Sequence, residues 1–344
     1  MPSNTKLKHF DHYVMLNDLG LKKDDLESPQ KIAEVINGIY KKNSDNPHVL
    51  HGMRAEKMFG YVARSLDGCD LIKNESHEYY SPFSIQPPDY EMITKDKKRF
   101  FVEVKNNNEE FEFDSLPDNR YIVNEKYLQK LIKYSELNGV ELKFAIYWVK
   151  LGMWTLVPID CFSVIKGRRF VTLETAILNN EMVLLNDRMI GIKPPLIFRV
   201  LTDPSKPRVV SSNGEAKVNV LGFEIFNGTT KITSRNDLQL CWFLIMNAVW
   251  KQQDPEASVT EKNDLQRFDF IFEPEEVTPD QGFEVVGSLS TLLSRQFNSM
   301  TVPNRDIQNY IPKTDHLSLK SSIEFTKNYN QLPVWQFFVH PEKN

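Results

Sequence analysis

The run from Phe100 to Lys105 constrains the fold more than any other part of the chain. It reads Phe-Phe-Val-Glu-Val-Lys, and this density of aromatic and β-branched residues favours a strand over a helix. Side chains alternate between the two faces of a strand, so Phe101, Glu103 and Lys105 share one face. The intervening phenylalanine and valines share the other face and are suited to a hydrophobic core.

A second extended segment precedes this strand. Residues Asp89 to Thr94 read as a strand, and the polar Asp96-Lys97-Lys98 that follows is typical of a turn. The two segments therefore form a hairpin that brings Asp89 across from Glu103. Glu91 lies on the same strand face as Asp89 and either shares a site with it or is solvated.

Two carboxylates and a lysine in this arrangement point to chemistry on a phosphate group. Facing carboxylates repel each other when both are ionised, and a divalent cation relieves that repulsion. Mg²⁺ prefers hard oxygen ligands such as carboxylates, water and phosphate oxygens, and it lowers the pKa of a bound water. Lys105 adds positive charge, and it takes a proton from water if its own pKa is depressed.

The motif Pro88-Asp89, followed after 14 positions (103 − 89) by Glu103-Val104-Lys105, resembles the PD-(D/E)XK nuclease superfamily. That family includes many restriction endonucleases and archaeal-type Holliday-junction resolvases. The resemblance implies an α/β fold with a restriction-endonuclease-like core, in which a mixed central sheet is flanked by helices. It also implies catalysis by Asp89, Glu103, Lys105 and Glu56, with Mg²⁺ or Mn²⁺ bound by the three carboxylates.

The predicted elements follow the order of that family's core, which is a helix, a three-strand meander, a helix and a further strand. They are an amphipathic helix over 51–66 that carries Glu56 and stops near Gly68, strands from Cys69 and over 89–94 and 100–105, a helix capped by Asn124 and ending near Gly139, and strands over 143–149 and 154–157.

Two groups of residues are candidates for nucleic-acid contact. Gln129 and Lys130 lie on the second helix, where some members of the family place a further polar site residue. Lys166, Arg168 and Arg169 form the most compact basic cluster of the chain and are candidates for phosphate binding. A solvated surface is the alternative for both groups.

Composition limits the partners and the compartment. The chain has 344 residues and a net charge of −4, which disfavours avid non-specific DNA binding without excluding a local basic groove. Its three cysteines are far apart in sequence, so neither a zinc site nor a disulfide framework is indicated, and a reducing cytoplasm fits. The longest apolar run, Leu240 to Met246, is too short to span a membrane.

Three regions are predicted along the chain: an N-terminal helical extension (1–45), the nuclease core (46–160) and an appended α+β domain (161–344) for DNA recognition or dimerisation. In the last region we predict a strand over 217–226, alternating phenylalanines on a strand over 268–272, a helix from a capping box at Ser234 to Lys251, and a helix over 288–297. The helix after Ser234 is apolar nearly all round, which predicts burial or a dimer interface.

The sequence therefore predicts a cytoplasmic, metal-dependent endonuclease that hydrolyses DNA in restriction, phage defence or repair. Duplex cleavage needs two cuts, so a homodimer is expected, and a partner protein of a defence system is possible. One alternative is a nuclease selective for branched DNA or for RNA. Another is a catalytically inactive nucleic-acid-binding or scaffold protein of the same fold, although the intact Asp89, Glu103 and Lys105 argue against it.

Overall fold

The structure is a computed structural model that describes residues 34, 37–38, 47–75, 81–108, 119–165, 168–275, 277–278, 280–301 and 331–341. The chain divides into two compact units, Met1–Arg54 and Ala55–Asn344. Almost all of the predicted N-terminal extension lies outside the described residues. The sheets and sites described below belong to the second unit.

The described residues between 47 and 158 contain one mixed five-stranded sheet. The elements of this region are α1 (Pro47–Leu66), β1 (Cys69–Asn74), β2 (Tyr90–Thr94), β3 (Arg99–Asn107), β4 (Arg120–Val123), α2 (Glu125–Asn138), β5 (Glu141–Trp148) and β6 (Met153–Pro158). The sheet has the order β1-β2-β3-β5-β6, and every neighbouring pair is antiparallel except β3 and β5. A parallel pair needs a crossover, and α2 lies in that connection. The predicted order of helix, meander, helix and strand is confirmed.

The central strand β3 is buried on both faces. Phe100 and Val102 pack in one hydrophobic cluster, and Phe101 packs in a second cluster with residues of α2. The sequence predicted a core only on the face opposite Glu103. The crossover explains the difference, because it places α2 over the face that carries Phe101. Glu103 is consequently 1% exposed, whereas a strand-edge glutamate is usually solvated.

The turn after α1 assigns different roles to two neighbouring residues. Asp67 has a left-handed φ of 58°, so it is this residue that breaks the helix after Leu66. Gly68 is needed for close packing instead, because a Cβ atom there would lie 2.2 Å from the carbonyl carbon of Leu185.

Both predicted caps of α2 are confirmed. The Asn124 side chain accepts a hydrogen bond from the Tyr127 backbone N–H, and Gly139 adopts a left-handed φ of 61° at the other end. These caps fix the two ends of α2. Tyr127 lies in the first turn of the helix, next to the N-terminal cap.

The rest of the chain adds three antiparallel sheets and three helices to the described structure. Its elements are β7 (Ser163–Ile165), β8 (Arg168–Thr172), α3 (Leu173–Leu178), β9 (Met189–Ile192), β10 (Leu196–Thr202), β11 (Val220–Asn227), β12 (Thr230–Ile232), α4 (Arg235–Asn247), β13 (Glu256–Val259), β14 (Leu265–Phe272), β15 (Glu284–Ser288), α5 (Leu289–Thr301) and β16 (Val334–Phe337). The sheet orders are β12-β11-β10-β14-β13, β15-β9-β16 and β4-β8-β7.

Several predicted bounds in this part differ from the structure. The strand expected from Lys217 begins at Val220, while the strand with alternating phenylalanines and the helix near 288 are confirmed as β14 and α5. The helix expected to reach Lys251 is α4, which ends at Asn247.

The predicted capping box at the start of α4 is wrong. Ser234 makes no side-chain capping bond, and Asp237 is 2% exposed. Gln331, which is distant in sequence, accepts hydrogen bonds from the backbone N–H groups of Thr233 and Ser234 instead. A tertiary contact therefore supplies the hydrogen bonds at this turn.

The prediction that α4 is buried is confirmed for only part of its surface. Leu240 and Leu244 are buried, but Trp242 is 49% exposed and Met246 is 61% exposed. The alternative, that this helix lies in a dimer interface, remains a prediction.

One hydrophobic cluster contains side chains from both sides of residue 160. Trp154 of β6 donates a 2.9 Å hydrogen bond from Nε1 to Ser294 Oγ of α5, and the rings of Tyr61 and Phe297 lie 5.5 Å apart. The division of the chain at 160/161 remains a prediction from sequence.

Across the described residues, no helix combines the length and the apolar character that crossing a membrane requires.

Candidate active site

The β2–β3 hairpin places Asp89 next to Glu103. Tyr90 pairs with Val102, and the next position in the same register sets Asp89 opposite Glu103. Asp89 Oδ2 accepts a 2.7 Å hydrogen bond from the backbone N–H of Val104. Lys105 lies two residues beyond Glu103 on the same strand, and its Nζ is 2.5 Å from Glu103 Oε1. The structure thus brings three of the predicted site residues together.

The first turn of α2 adds a tyrosine that is not among the predicted site residues. The Tyr127 hydroxyl donates a 2.6 Å hydrogen bond to Glu103 Oε1, and Lys105 Nζ lies 4.8 Å from the centre of the Tyr127 ring. A signal for this contact was present in the sequence. Tyr127 lies four residues before Leu131, which is fully buried, so the two side chains share one face of the helix.

The two oxygens of Glu103 have different environments. Oε1 receives hydrogen bonds from Lys105 and Tyr127. Oε2 is buried and has no hydrogen-bond partner among the described residues. A buried carboxylate oxygen without a partner loses hydration and gains nothing in return, so it is a position suited to a cation.

The pKa of Asp89 is raised from 3.8 to about 7. Burial is the main cause, and the Glu103 carboxylate adds to it by repulsion. The hydrogen bond from Val104 and the charge of Lys105 act in the opposite direction without cancelling these effects. Asp89 therefore keeps its proton to higher pH than an ordinary aspartate, and additional positive charge nearby would favour its ionised form.

Lys105 is held in its cationic form. Burial acts to lower its pKa, but the Glu103 carboxylate and the hydroxyl groups of Tyr121 and Tyr127 outweigh burial and raise the Lys105 pKa above its ordinary value. Burial itself raises the pKa of Tyr121 to about 12. Lys105 would accept a proton from water only if its pKa were depressed, and its pKa is raised instead. Lys105 therefore contributes a positive charge to the site.

Glu56, on α1, lies near these residues but has its own partners. Its Oε1 accepts a 3.3 Å hydrogen bond from Asn74 Nδ2, and its backbone carbonyl accepts one of 3.0 Å from the Tyr90 hydroxyl. Within the ranges that the structure describes, no three His, Cys, Asp or Glu side chains form a cluster that could hold a metal ion. A metal-binding role for Glu56 therefore remains a prediction.

The residues present fit one divalent cation. Asp89 and Glu103 offer hard carboxylate oxygens, and Glu103 Oε2 is the buried oxygen that lacks a partner. Burial is the main cause of the raised pKa of Asp89, and such a cation would offset both the burial of its charge and the added repulsion from Glu103.

Glu91 does not share its carboxylate with this group. It forms ion pairs with Arg99 at 2.6 Å and Lys73 at 3.3 Å. Burial acts to raise the pKa of Glu91, but these two cations outweigh burial and hold the pKa below its usual value. Glu91 is thus a paired structural carboxylate.

The structure does not bring Gln129 or Lys130 against Glu103. Both side chains are exposed on α2, and Gln129 Nε2 donates a 2.8 Å hydrogen bond to Glu125 of the same helix. Of the residues of α2, it is Tyr127 that contacts the carboxylate.

The basic cluster is only partly described. Lys166 lies outside the described residues, and Arg168 is exposed on β8. Arg169 Nε is 3.2 Å from Glu125 Oε2, at the start of the helix that carries Tyr127. Contacts of these residues with nucleic acid remain predictions.

Comparisons with known proteins identify a partial similarity of fold. No protein-family model matches the chain, and no curated protein matches it. Among solved structures, the chain is similar to Hjc of Archaeoglobus fulgidus, a Holliday junction resolvase from an archaeal hyperthermophile. The match has a TM-score of 0.26 and 15% sequence identity, and it covers 33% of this chain and 84% of that one. At this TM-score the similarity adds nothing to the argument from geometry.

Proposed function

We propose that this chain is a metal-dependent nuclease that hydrolyses DNA phosphodiester bonds. One observation carries the proposal: Glu103 is a buried carboxylate with a partnerless Oε2, it faces Asp89, and its other oxygen is held by Lys105 and Tyr127. A solvated surface ion pair does not account for a glutamate that is 1% exposed.

Asp89 and Glu103 would hold Mg²⁺ or Mn²⁺, and Glu56 is the candidate for a further ligand. When bound, the cation supplies positive charge that offsets the charge of the phosphate and favours deprotonation of the attacking water. Asp89 must give up its proton to take part, so its raised pKa couples cation binding to proton release.

The remaining groups of the site position charge. Lys105 is cationic and stabilises the negative charge that develops on the phosphate oxygens as the water attacks. Tyr127 holds Glu103 Oε1, and this leaves Oε2 as the oxygen that would bind the cation. Neither residue needs to exchange a proton for this role.

The substrate we propose is DNA, with the chain acting as a homodimer in restriction, phage defence or repair. The net charge of −4 provides no general attraction to nucleic acid, so binding depends on local groups. The candidates are Lys166, Arg168 and Arg169, with Gln129 and Lys130 on the second helix.

The test is cleavage of labelled linear duplex, four-way junction, single-stranded DNA and RNA in Mg²⁺, Mn²⁺ or EDTA. We expect cleavage that requires the metal and that falls by at least about 100-fold in Asp89→Asn, Glu103→Gln and Lys105→Ala. Glu91→Gln is the matched control, since Glu91 is a carboxylate of the same hairpin that is paired with Arg99.

Cleavage at the wild-type rate by all three site variants would contradict the site assignment. Cleavage of junctions or RNA in preference to linear duplex would select the alternative nuclease function. Tight DNA binding without cleavage under any metal would show that the chain is a binding or scaffold protein.

A further inference from the structure

A second concave site lies between the central sheet and the C-terminal elements. It is a cavity of about 370 Å³ lined by parts of β6, β15 and α5, and none of the candidate active-site residues is in its lining. Its volume lies within the range of small-molecule sites, roughly 300–1,000 Å³. The walls are largely apolar and include Met153, Trp154, Met182, Val249, Val286 and Val339.

Two arginines, Arg188 and Arg295, and one carboxylate line the same cavity. The carboxylate belongs to Asp187, which already accepts three hydrogen bonds. Its Oδ1 accepts hydrogen bonds from the backbone N–H groups of Arg188 and Ser290, both at 2.9 Å. Its Oδ2 accepts one of 2.6 Å from the Ser290 hydroxyl. Asp187 is thus hydrogen-bonded to the start of α5, and the two arginines supply the positive charge of the lining.

The guanidinium groups are held in place by the protein. Arg188 donates from Nε to Gln336 Oε1 at 2.6 Å and from Nη1 to the Asn186 carbonyl at 2.7 Å. Arg295 donates from Nη1 to the Asn247 carbonyl at 3.2 Å, and within the described part of the chain its other N–H groups make no hydrogen bond. A guanidinium has five N–H donors, so Arg295 is fixed in position and still has donors for an anion.

We propose that this cavity binds a small organic anion, in which an acidic group contacts Arg295 and an apolar body lies against Trp154 and Val286. The apolar walls favour binding of the apolar body of the ligand. The two arginines, which are cations held in a partly desolvated cavity, favour binding of its negative charge. A phosphate and a carboxylate share this chemistry. The proposal does not depend on nuclease activity.

The probe is 8-anilinonaphthalene-1-sulfonate, whose fluorescence reports binding to the full-length protein. N-phenyl-1-naphthylamine, which has the same rings without the sulfonate, is the neutral control. We expect saturable binding of the anion, at least about tenfold tighter than that of the neutral amine. Displacement by 1-naphthyl phosphate or by 1-naphthoate then identifies the preferred acidic group. The neutral 1-naphthol should displace the probe only at a concentration at least about tenfold higher.

Variants locate the bound anion. Arg295→Gln should lower the affinity for the sulfonate dye at least about fivefold and leave the affinity for the neutral amine unchanged. Val339 lines the cavity and is 62% exposed, so changes there leave the fold intact. Val339→Glu should weaken binding of the anionic dye and Val339→Lys should strengthen it. The dissociation constants of the two variants should differ by about threefold or more.

Three results from the two dyes and the Val339 variants would overturn the proposal. They are no saturable binding of the sulfonate up to about 1 mM, equal affinity for the charged and neutral dyes, and equal affinity of the two Val339 variants. Phe223→Ser controls for dye bound at the exposed aromatic cluster around Phe198, where Phe223 is 64% exposed. Loss of binding in that variant would place the dye elsewhere and would also overturn the proposal.

Discussion

The Tyr127 hydroxyl donates a 2.6 Å hydrogen bond to Glu103 Oε1, and this bond joins the start of α2 to the central strand β3. It holds a glutamate whose other oxygen is buried without a partner among the described residues. The crossover helix of a parallel strand pair therefore orients a carboxylate of the candidate active site, in addition to covering the sheet.

Loss of this hydrogen bond should weaken metal binding. In Tyr127→Phe we expect the Mn²⁺ dissociation constant to rise and the rate of cleavage to fall, each by about tenfold. Groups that orient metal ligands typically contribute about 10–100-fold to metal affinity or activity. Calorimetric titration with Mn²⁺ measures the first quantity and a cleavage assay the second. Tyr134→Phe is the matched control, since it removes a 2.5 Å hydrogen bond from the same helix to Glu75. Equal metal affinity in the two variants would contradict this role of Tyr127.

Metal affinity should depend on the protonation of Asp89. The raised pKa of about 7 means that protons compete with the cation below neutral pH, so affinity should rise about tenfold between pH 6 and pH 8. Calorimetry in buffers of different ionisation enthalpy should show about one proton released near pH 6. Asp89→Asn should bind more weakly and lose this pH dependence. A pH-independent dissociation constant in the wild type would refute the prediction.

Without metal, Asp89 should destabilise the folded protein at neutral pH. Its folded pKa lies above the unfolded one, so its stabilising contribution is complete below pH 3.8 and is lost as the pH rises to about 7. Thermal unfolding in EDTA should show Asp89→Asn gaining about 3–6 °C over the wild type at pH 8 and little at pH 4. Saturating Mg²⁺ should remove the higher unfolding temperature of Asp89→Asn at pH 8, because the cation stabilises the folded wild type. An equal difference at both pH values would argue against the pKa shift.

Gly68 should not tolerate a side chain. A Cβ atom at this position would lie 2.2 Å from the backbone carbonyl carbon of Leu185, so one of the two segments must move. We expect Gly68→Ala to lower the free energy of unfolding by about 2–4 kcal/mol in urea denaturation. Gly222→Ala is the control, because a Cβ atom at Gly222 would point into open space. Similar midpoints for both variants would contradict the prediction.

The ion pair between Arg199 and Asp269 should stabilise the sheet formed by β10 and β14. Two hydrogen bonds of 2.7 Å join the groups, and these bonds hold the pKa of Asp269 below its usual value against the effect of burial. The stabilisation is present above the unfolded pKa and is lost as the pH falls through the lowered folded pKa. Asp269→Asn should therefore cost about 1–2 kcal/mol at pH 7 and less below about pH 4. Glu256→Gln, at an exposed position opposite Asp269, should show neither effect.

Local pattern predicted the parts of the fold that depend on local physics. Alternation along Phe100 to Lys105 and the turn before it predicted the hairpin, and Asn124 and Gly139 predicted the bounds of α2. These features depend on backbone preference and on residues a few positions apart. The capping box at Ser234 failed because Gln331, from a distant part of the chain, supplies the hydrogen bonds there.

The sequence by itself determined which carboxylates and which lysine share a hairpin, because register and strand alternation follow from neighbouring residues. Only the tertiary structure decided their chemistry. Packing of α2 over β3 buries Glu103 and brings Tyr127 to one of its oxygens. Burial of Asp89, together with repulsion from Glu103, raises the pKa of Asp89 to about 7. Burial and repulsion depend on which atoms surround a group in space, and those atoms come from segments that are far apart along the chain.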